Sequence, residues 1–262
     1  WVNQGTLTVG DDDYIIFGYG SGGTNTLTNA AGGTLNLSSI NATPLNFYTG
    51  TGTVNNAGTL NQTVSGTRTI DTVFNNTGTV NVDAGRLTIS GGGTDTGVYA
   101  VDAGTTLNFS GGTRDLNAGS NVTGLGSLTV SGATVNVNNL LGIAGSGTAL
   151  NVSGGTLTLG AGVASGQLVP LSLSGGTLNL NTGNALTLPS VGMSGGTLGG
   201  TDNVTVSGVF NITGLSTLAG TGVLTTQGAT TVNMAAVNNW VSLTGGKSWV
   251  NQGTLTVGDD DY

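Results

Sequence analysis

The sequence predicts an all-β chain wound as a right-handed parallel β-helix of about ten coils, and three observations carry that expectation. Apolar and polar residues alternate strictly over runs of four or five residues, as in Thr6-Leu7-Thr8-Val9, which is the pattern of a strand with one face in a core. The unit Gly-Thr-(Leu/Val)-x-(Leu/Val) recurs along the whole chain, at spacings suited to a solenoid. Gly accounts for 50 of the 262 residues, while helical i, i+3, i+4 spacing is absent over any useful length.

The strand units run in order along the chain. Gly5-Thr6-Leu7-Thr8-Val9 opens the series, followed by Gly33-Thr34-Leu35-Asn36-Leu37 and Gly78-Thr79-Val80-Asn81-Val82. Gly155-Thr156-Leu157-Thr158-Leu159 and Gly176-Thr177-Leu178-Asn179-Leu180 continue it, with looser copies at Gly85 and Gly132. Between them lie further period-two doublets, among them Leu45/Phe47, Leu107/Phe109, Leu128/Val130, Leu171/Leu173 and Val204/Val206. A sandwich or closed barrel needs longer strands and hairpin turns such as Asn-Gly, a dipeptide that does not occur here. Three short strands per coil, stacked in parallel, account for the pattern instead. From Ser172 to Gly222 the units look most regular, whereas spacing between Thr6 and Leu107 is uneven and implies protruding loops. Asn55-Asn56 and Asn75-Asn76 lie one coil apart; Asn tolerates the left-handed backbone of a tight corner, and stacked Asn side chains bond along a ladder.

Organisation is read from one exact repeat. Trp1 to Tyr14 (WVNQGTLTVGDDDY) recurs unchanged as Trp249 to Tyr262. The chain therefore reads as one module, residues 1–248, of a tandem array, with residues 249–262 opening the next copy. Trp249, Val250, Leu255 and Val257 mark the junction, and because they form a strand unit, successive modules are expected to continue as one helix without a flexible linker.

Repeated N-x-G-T-L-x-V units, together with Ser-Gly-Gly-Thr-Leu coils following Leu173 and Met193, resemble the β-helical passengers of large bacterial surface proteins. Those are the filamentous-haemagglutinin-like exoproteins of two-partner secretion and the passengers of autotransporters. The resemblance covers Trp1 to about Val237. It implies export through an outer-membrane barrel, folding at the bacterial surface, and a part in adhesion or biofilm formation. The uneven early coils depart from the most regular members of that group.

Composition narrows the function classes. Hydrophobic residues make up 36% of the chain and charged residues 6%, far below the usual quarter or so. That apolar content is enough for a core, and Thr and Asn in place of charges keep the exterior hydrated. Four basic residues against twelve Asp argue against a nucleic-acid partner, which needs clustered Lys and Arg. No apolar run is long enough to span a membrane. With neither His nor Cys, the Ser-His and Cys-His arrangements and the common zinc sites are excluded, and the chain is expected to be non-catalytic.

Two clusters remain as candidate sites. Asp11, Asp12 and Asp13 supply adjacent carboxylates, and with backbone carbonyls they offer hard oxygen ligands for Ca2+. Their spacing does not match the D-x-D-x-D-G loop. Alternative roles are a solvated acidic corner that keeps rods apart, or a carboxylate pair about 7 Å apart for glycan cleavage, which would need a burying neighbour to raise one pKa. Tyr14, Phe17 and Tyr19 sit next to this cluster and offer aromatic faces for stacking on sugar rings; core filling is the competing role. The expected partners are neighbouring copies of the module and a host or matrix glycan or surface receptor. The function expected is a stalk giving length and adhesion, with a glycan-binding or glycan-cleaving β-helix as the alternative.

Overall fold

A computed structural model describes residues 1–139, 141–143, 147–163, 168–234 and 239–258. Every regular element among them is a β-strand, and every strand pairing is parallel. The chain is a parallel β-solenoid in which each coil lays strands on three faces in turn. On the first face the stack runs from Val2–Asn3 through Thr24–Asn29, Thr51–Asn56, Val73–Asn76 and Gly93–Asp95 upward to Val241–Leu243. The second face begins with Thr6–Val9, Thr34–Leu37, Thr59–Gln62 and Thr79–Val82. Its later part runs from Leu186–Leu188 to Ser248–Asn251. On the third face the stack climbs from Ile15–Phe17 to Thr254–Val257. Two strands, Ser127–Val137 and Ala149–Leu159, turn the corner from the third face into the first without a break, with a register shift around Ser131.

Alternation along each strand decides what fills the interior. Stacked inward positions carry Leu107, Leu128, Leu150, Leu171, Val191 and Phe210, each on the next, and all are buried. Each such side chain contributes roughly 1.5–3 kcal/mol of burial. Outward positions are mainly Thr, Ser and Asn, as the period-two pattern requires.

Corners explain the Gly of the Gly-Thr-Leu unit. Gly58, Gly78 and Gly97 stack where the first face turns into the second, and a Cβ on Gly78 would lie 2.1 Å from the carbonyl oxygen of Gly58. The coils approach too closely there for any side chain. Spacing is uneven as expected. Ile15 pairs with Leu45 and Thr6 with Thr34, the longest steps, whereas Val191 pairs with Phe210 and Phe210 with Thr230 in the regular region.

The Asn pairs act through only one of the two properties expected of them. No Asn adopts a left-handed backbone among the described residues, and the one non-Gly residue with positive φ is Asp11, at 46°. Glycines elsewhere, such as Gly66 and Gly85, take that conformation, whereas Gly58, Gly78 and Gly97 do not. The Asn side chains form ladders.

Candidate functional site

Polar chemistry concentrates in the N-terminal half, and most of it is inside the solenoid. Asn3, Asn29, Asn56 and Asn76 occupy one inward position of the first face in successive coils and are buried. Nδ2 of each donates to Oδ1 of the next, at 2.7, 2.8 and 2.8 Å. The same amides donate to the carbonyls of Thr34, Thr59, Thr79 and Val98 at the start of the second face. A corner that would otherwise bury unsatisfied carbonyls is thereby closed coil by coil. Outer ladders run alongside: Asn81 donates to Asn61 and Asn61 to Asn36, while Asn75 donates to Asn55.

The inner ladder ends on a charge. In the next coil Asp95 takes the place of Asn, and its Oδ1 accepts from the backbone N–H of Asn76 and the hydroxyl of Tyr99. Its Oδ2 pairs with Nη1 of Arg114, the single ion pair among the described residues, with both side chains essentially buried. Nη2 of Arg114 donates to the carbonyls of Phe74, Gly91 and Gly92. The guanidinium lies 5.1 Å from the ring centroid of Phe109 and 6.0 Å from that of Phe74. Burial pushes the Asp95 carboxyl up, and Arg114, Tyr99 and the Asn76 amide oppose it. Burial likewise pushes the Tyr99 hydroxyl well above its ordinary value. The enclosed cluster is shut away from solvent, and its bonds tie the coils of Phe74, Asp95 and Arg114 together. Arg68 is the other buried cation, held by the carbonyls of Ser39, Thr67 and Ser65.

The two sequence-level candidates lie at the N-terminal end. Asp11, Asp12 and Asp13 are exposed on a turn closed by the Asp13 N–H donating to the Gly10 carbonyl. Backbone carbonyls of all three accept from the following coil: Asp11 from the Ile40 N–H, Asp12 from Asn41 and Asp13 from the Ser39 hydroxyl. Among the described residues, no three acidic side chains are grouped so as to hold a metal ion. The second copy of the cluster, Asp259 to Asp261, lies outside the described residues.

The aromatic candidates separate. Phe17 is 4% exposed and belongs to the core, stacked on Phe47, so it offers no face to a ligand; inward alternation along Ile15–Phe17 puts it there. Tyr14 and Tyr19 are exposed. Tyr19 pairs with Tyr48 of the next coil, ring centroids 5.6 Å apart, a partner that only the stacking of coils reveals. A groove of about 230 Å³ opens nearby, lined by Phe47, Gly52, Asp71, Thr72, Val73 and Gly91. Phe47 and Val73 are partly exposed in it, and Asp71 accepts a hydrogen bond from Ser90. This aromatic edge was not legible in the sequence, since Tyr19 and Tyr48 meet only across the long second coil.

At the other end, Trp249 packs against Phe210, with ring centroids 5.8 Å apart, and its Nε1 donates to the Thr226 hydroxyl. Val250, Leu255 and Val257 are exposed. Among the described residues, no helix is long and apolar enough to cross a membrane. Comparison of the chain with protein-family models, curated proteins and solved structures returns no match.

Proposed function

We propose that this chain is a non-catalytic stalk module of a bacterial surface protein, which builds length by stacking coils and supports adhesion or self-association. One observation carries the reading: the strands formed by the repeated segment, Ser248–Asn251 and Thr254–Val257, add to the stack of the preceding coil with no linker between them. A module that ends by growing its own ladder is suited to extension. Solenoid energetics agree, because each coil gains stability only from its neighbours and lengthening costs no new fold. The absence of His and Cys and the burial of the Asp95–Arg114 ion pair fit a scaffold whose polar groups hold the wall together. Small-angle scattering on a protein of two joined copies tests the reading. The stalk requires a rod about 50 Å longer than one copy, at about 4.8 Å per coil, and a flexibly jointed pair of particles would sink it.

The second reading, glycan recognition, is favoured by the exposed Tyr19–Tyr48 pair beside the Phe47–Asp71 groove. Aromatic faces next to a carboxylate suit a sugar ring, with Asp71 accepting from hydroxyls. On a glycan array, binding that disappears in Tyr48→Ala but persists in Asp12→Ala would support it. An array with no binding to the unaltered protein would remove it. Calcium at Asp11 to Asp13 is tested separately, by whether added Ca2+ raises the melting temperature and Asp12→Ala abolishes the rise.

A further inference from the structure

The same fourteen-residue sequence occupies different faces at the two ends of the solenoid. In the first copy Val2 and Asn3 lie on the first face, paired with Thr28 and Asn29, and Thr6–Val9 lie on the second, paired with Thr34–Leu37. In the second copy Trp249, Val250 and Asn251 lie on the second face, paired with Leu224, Thr225 and Thr226, and Thr254–Val257 lie on the third, paired with Ala229–Val232. The first face of that last coil is already taken by Val241–Leu243, paired with Ser216–Leu218. The repeat therefore returns after eleven coils and one further face, not after a whole number of coils.

The local chemistry allows the shift, because both corners offer the same setting. Trp249 turns inward onto Phe210, Val250 outward, and Asn251 inward, where its Oδ1 accepts from the Thr226 hydroxyl. Val2 and Asn3 keep that alternation, with Val2 exposed and Asn3 buried. Gly5 and Gly253 each precede the Thr-Leu-Thr-Val strand at a corner, and a Cβ on Gly253 would lie 2.2 Å from the Gly228 carbonyl oxygen. The same strand-corner-strand unit thus fits both the first and the second corner of the coil.

What covers the unit differs as well. Val9 is 4% exposed, with Leu37 of the following coil stacked on it. Its counterpart Val257 is 51% exposed and Leu255 is 42% exposed. Together with Val232, Val241, Leu243 and Trp249 they line an apolar recess of about 180 Å³ at the end of the stack. The residues that bury the first copy's unit are those of Thr24–Asn29 and Thr34–Leu37, and a following copy brings those same residues next along the chain.

We propose that this recess seats the Thr24–Leu37 segment of a following copy of the repeat, and that each copy is turned by one face, about 120°, around the rod relative to the one before. The proposal rests on the stalk reading above. Its consequence is a screw: a feature present once per copy, such as the Tyr19–Tyr48 pair, appears on the three faces in succession. It returns to the same face only every third copy, about 160 Å along the rod at about 4.8 Å per coil. A partner is then met from any side, and two rods lying together match faces only at that longer repeat.

The chain has no Cys, so paired Cys substitutions report register without background. Dibromobimane fluoresces when it bridges two neighbouring thiols. Thr225→Cys with Val250→Cys is expected to give the bridged signal, whereas Thr217→Cys with Val250→Cys, the pairing a whole number of coils would require, is expected to give none. The reverse result overturns the one-face turn. A second measurement uses two joined copies carrying Val250→Cys and a Cys at the second copy's counterpart of Thr28. Bridging there is expected. Its failure, with the Thr225–Val250 bridge intact, would overturn the seating of the following copy and with it the stalk reading, while leaving the register of this chain in place.

Discussion

The lower coils, up to Arg114, and the coils above them share one backbone path but seal the first-face corner in opposite ways. Below, the inward corner position carries Asn3, Asn29, Asn56, Asn76 and then Asp95. Above, the same column carries Leu116, Val137, Leu159 and Leu180. The Arg114 position changes with it, to Val135, Leu157 and Leu178. A polar wall thus gives way to an apolar one within a single coil, and Asp95 with Arg114 is the splice. In the lower part each amide closes a corner carbonyl and ties two coils together, so register is held by bonds of fixed direction. In the upper part register is held by packing, and corner bonding is left to isolated caps such as Asp202, whose carboxylate accepts from the Thr182 and Gly183 N–H groups and the Thr182 hydroxyl. Polar ladders specify alignment; apolar columns contribute more burial for the same volume.

The splice is the place to break this comparison most severely. Arg114→Val alone leaves the Asp95 carboxylate buried without its cation and is expected to cost about 3–5 kcal/mol in urea denaturation. Converting the coil to its upper-half chemistry, with Asp95→Leu, Tyr99→Phe and Arg114→Val together, is expected to recover most of that loss. If the triple variant is no more stable than the single one, the two wall types are not interchangeable.

A smaller effect is expected within the ladder. Asn56→Leu removes the donor to Asn76 and Thr79 and the acceptor for Asn29, and should cost about 1–3 kcal/mol despite its apolar gain. The mirror change, Leu159→Asn, places an amide in a column with no amide neighbours and should also destabilise. An Asn56→Leu variant as stable as the parent would mean that packing alone sets the lower corner too.

The smallest effect concerns charge on the outside of the lower coils. Asp83 and Asp102 follow stacked strands one coil apart. Burial, and then the neighbouring Asp102 charge, raise the Asp83 carboxyl above its ordinary value of 3.8. A carboxyl whose folded pKa is raised makes the fold less stable as pH climbs through that raised value, since the folded state then gives up a proton it held more tightly than the unfolded chain. Asp83→Asn should therefore raise the melting temperature slightly at neutral pH. The gain should vanish once the pH falls below the ordinary carboxylate range, and a gain that persisted there would assign it to something other than charge.

The architecture was legible because stacking imposes the same demand on every coil. Period-two apolar doublets and the Gly of Gly-Thr-Leu each answer a local requirement, an inward face and a corner with no room for a side chain. The ladder was partly legible in Asn55-Asn56 and Asn75-Asn76, although the first expectation for it, a left-handed backbone, holds at no Asn among the described residues. Asp95, Tyr99 and Arg114 were not legible as a cluster, because they come together from three separate strands and none repeats. One signal was available: Arg114 stands at the inward parity of Thr113–Leu116, where a neighbouring coil places Val135, and so does Arg68 in Thr67–Ile70, where the next coil places Leu87. In a chain with four basic residues, a cation at an inward position announces a buried partner set. Parity also decides between the two roles open to Phe17: it stands at an inward position of Ile15–Phe17 and fills the core.

The inner Asn column has an electrical consequence. Every Nδ2 points toward the later coil and every Oδ1 toward the earlier one, so the four amide dipoles align head to tail along the long axis. Like the peptide dipoles of a helix, they sum to partial positive charge at one end and partial negative charge at the other. The positive end falls at Asn76, whose backbone N–H meets the Asp95 carboxylate. The anion is therefore placed where the field of the column favours it, and polarisation along the chain of amides strengthens each bond in turn. A rod assembled from such columns is a polar object, with one end electrically distinct from the other even where its outline is the same.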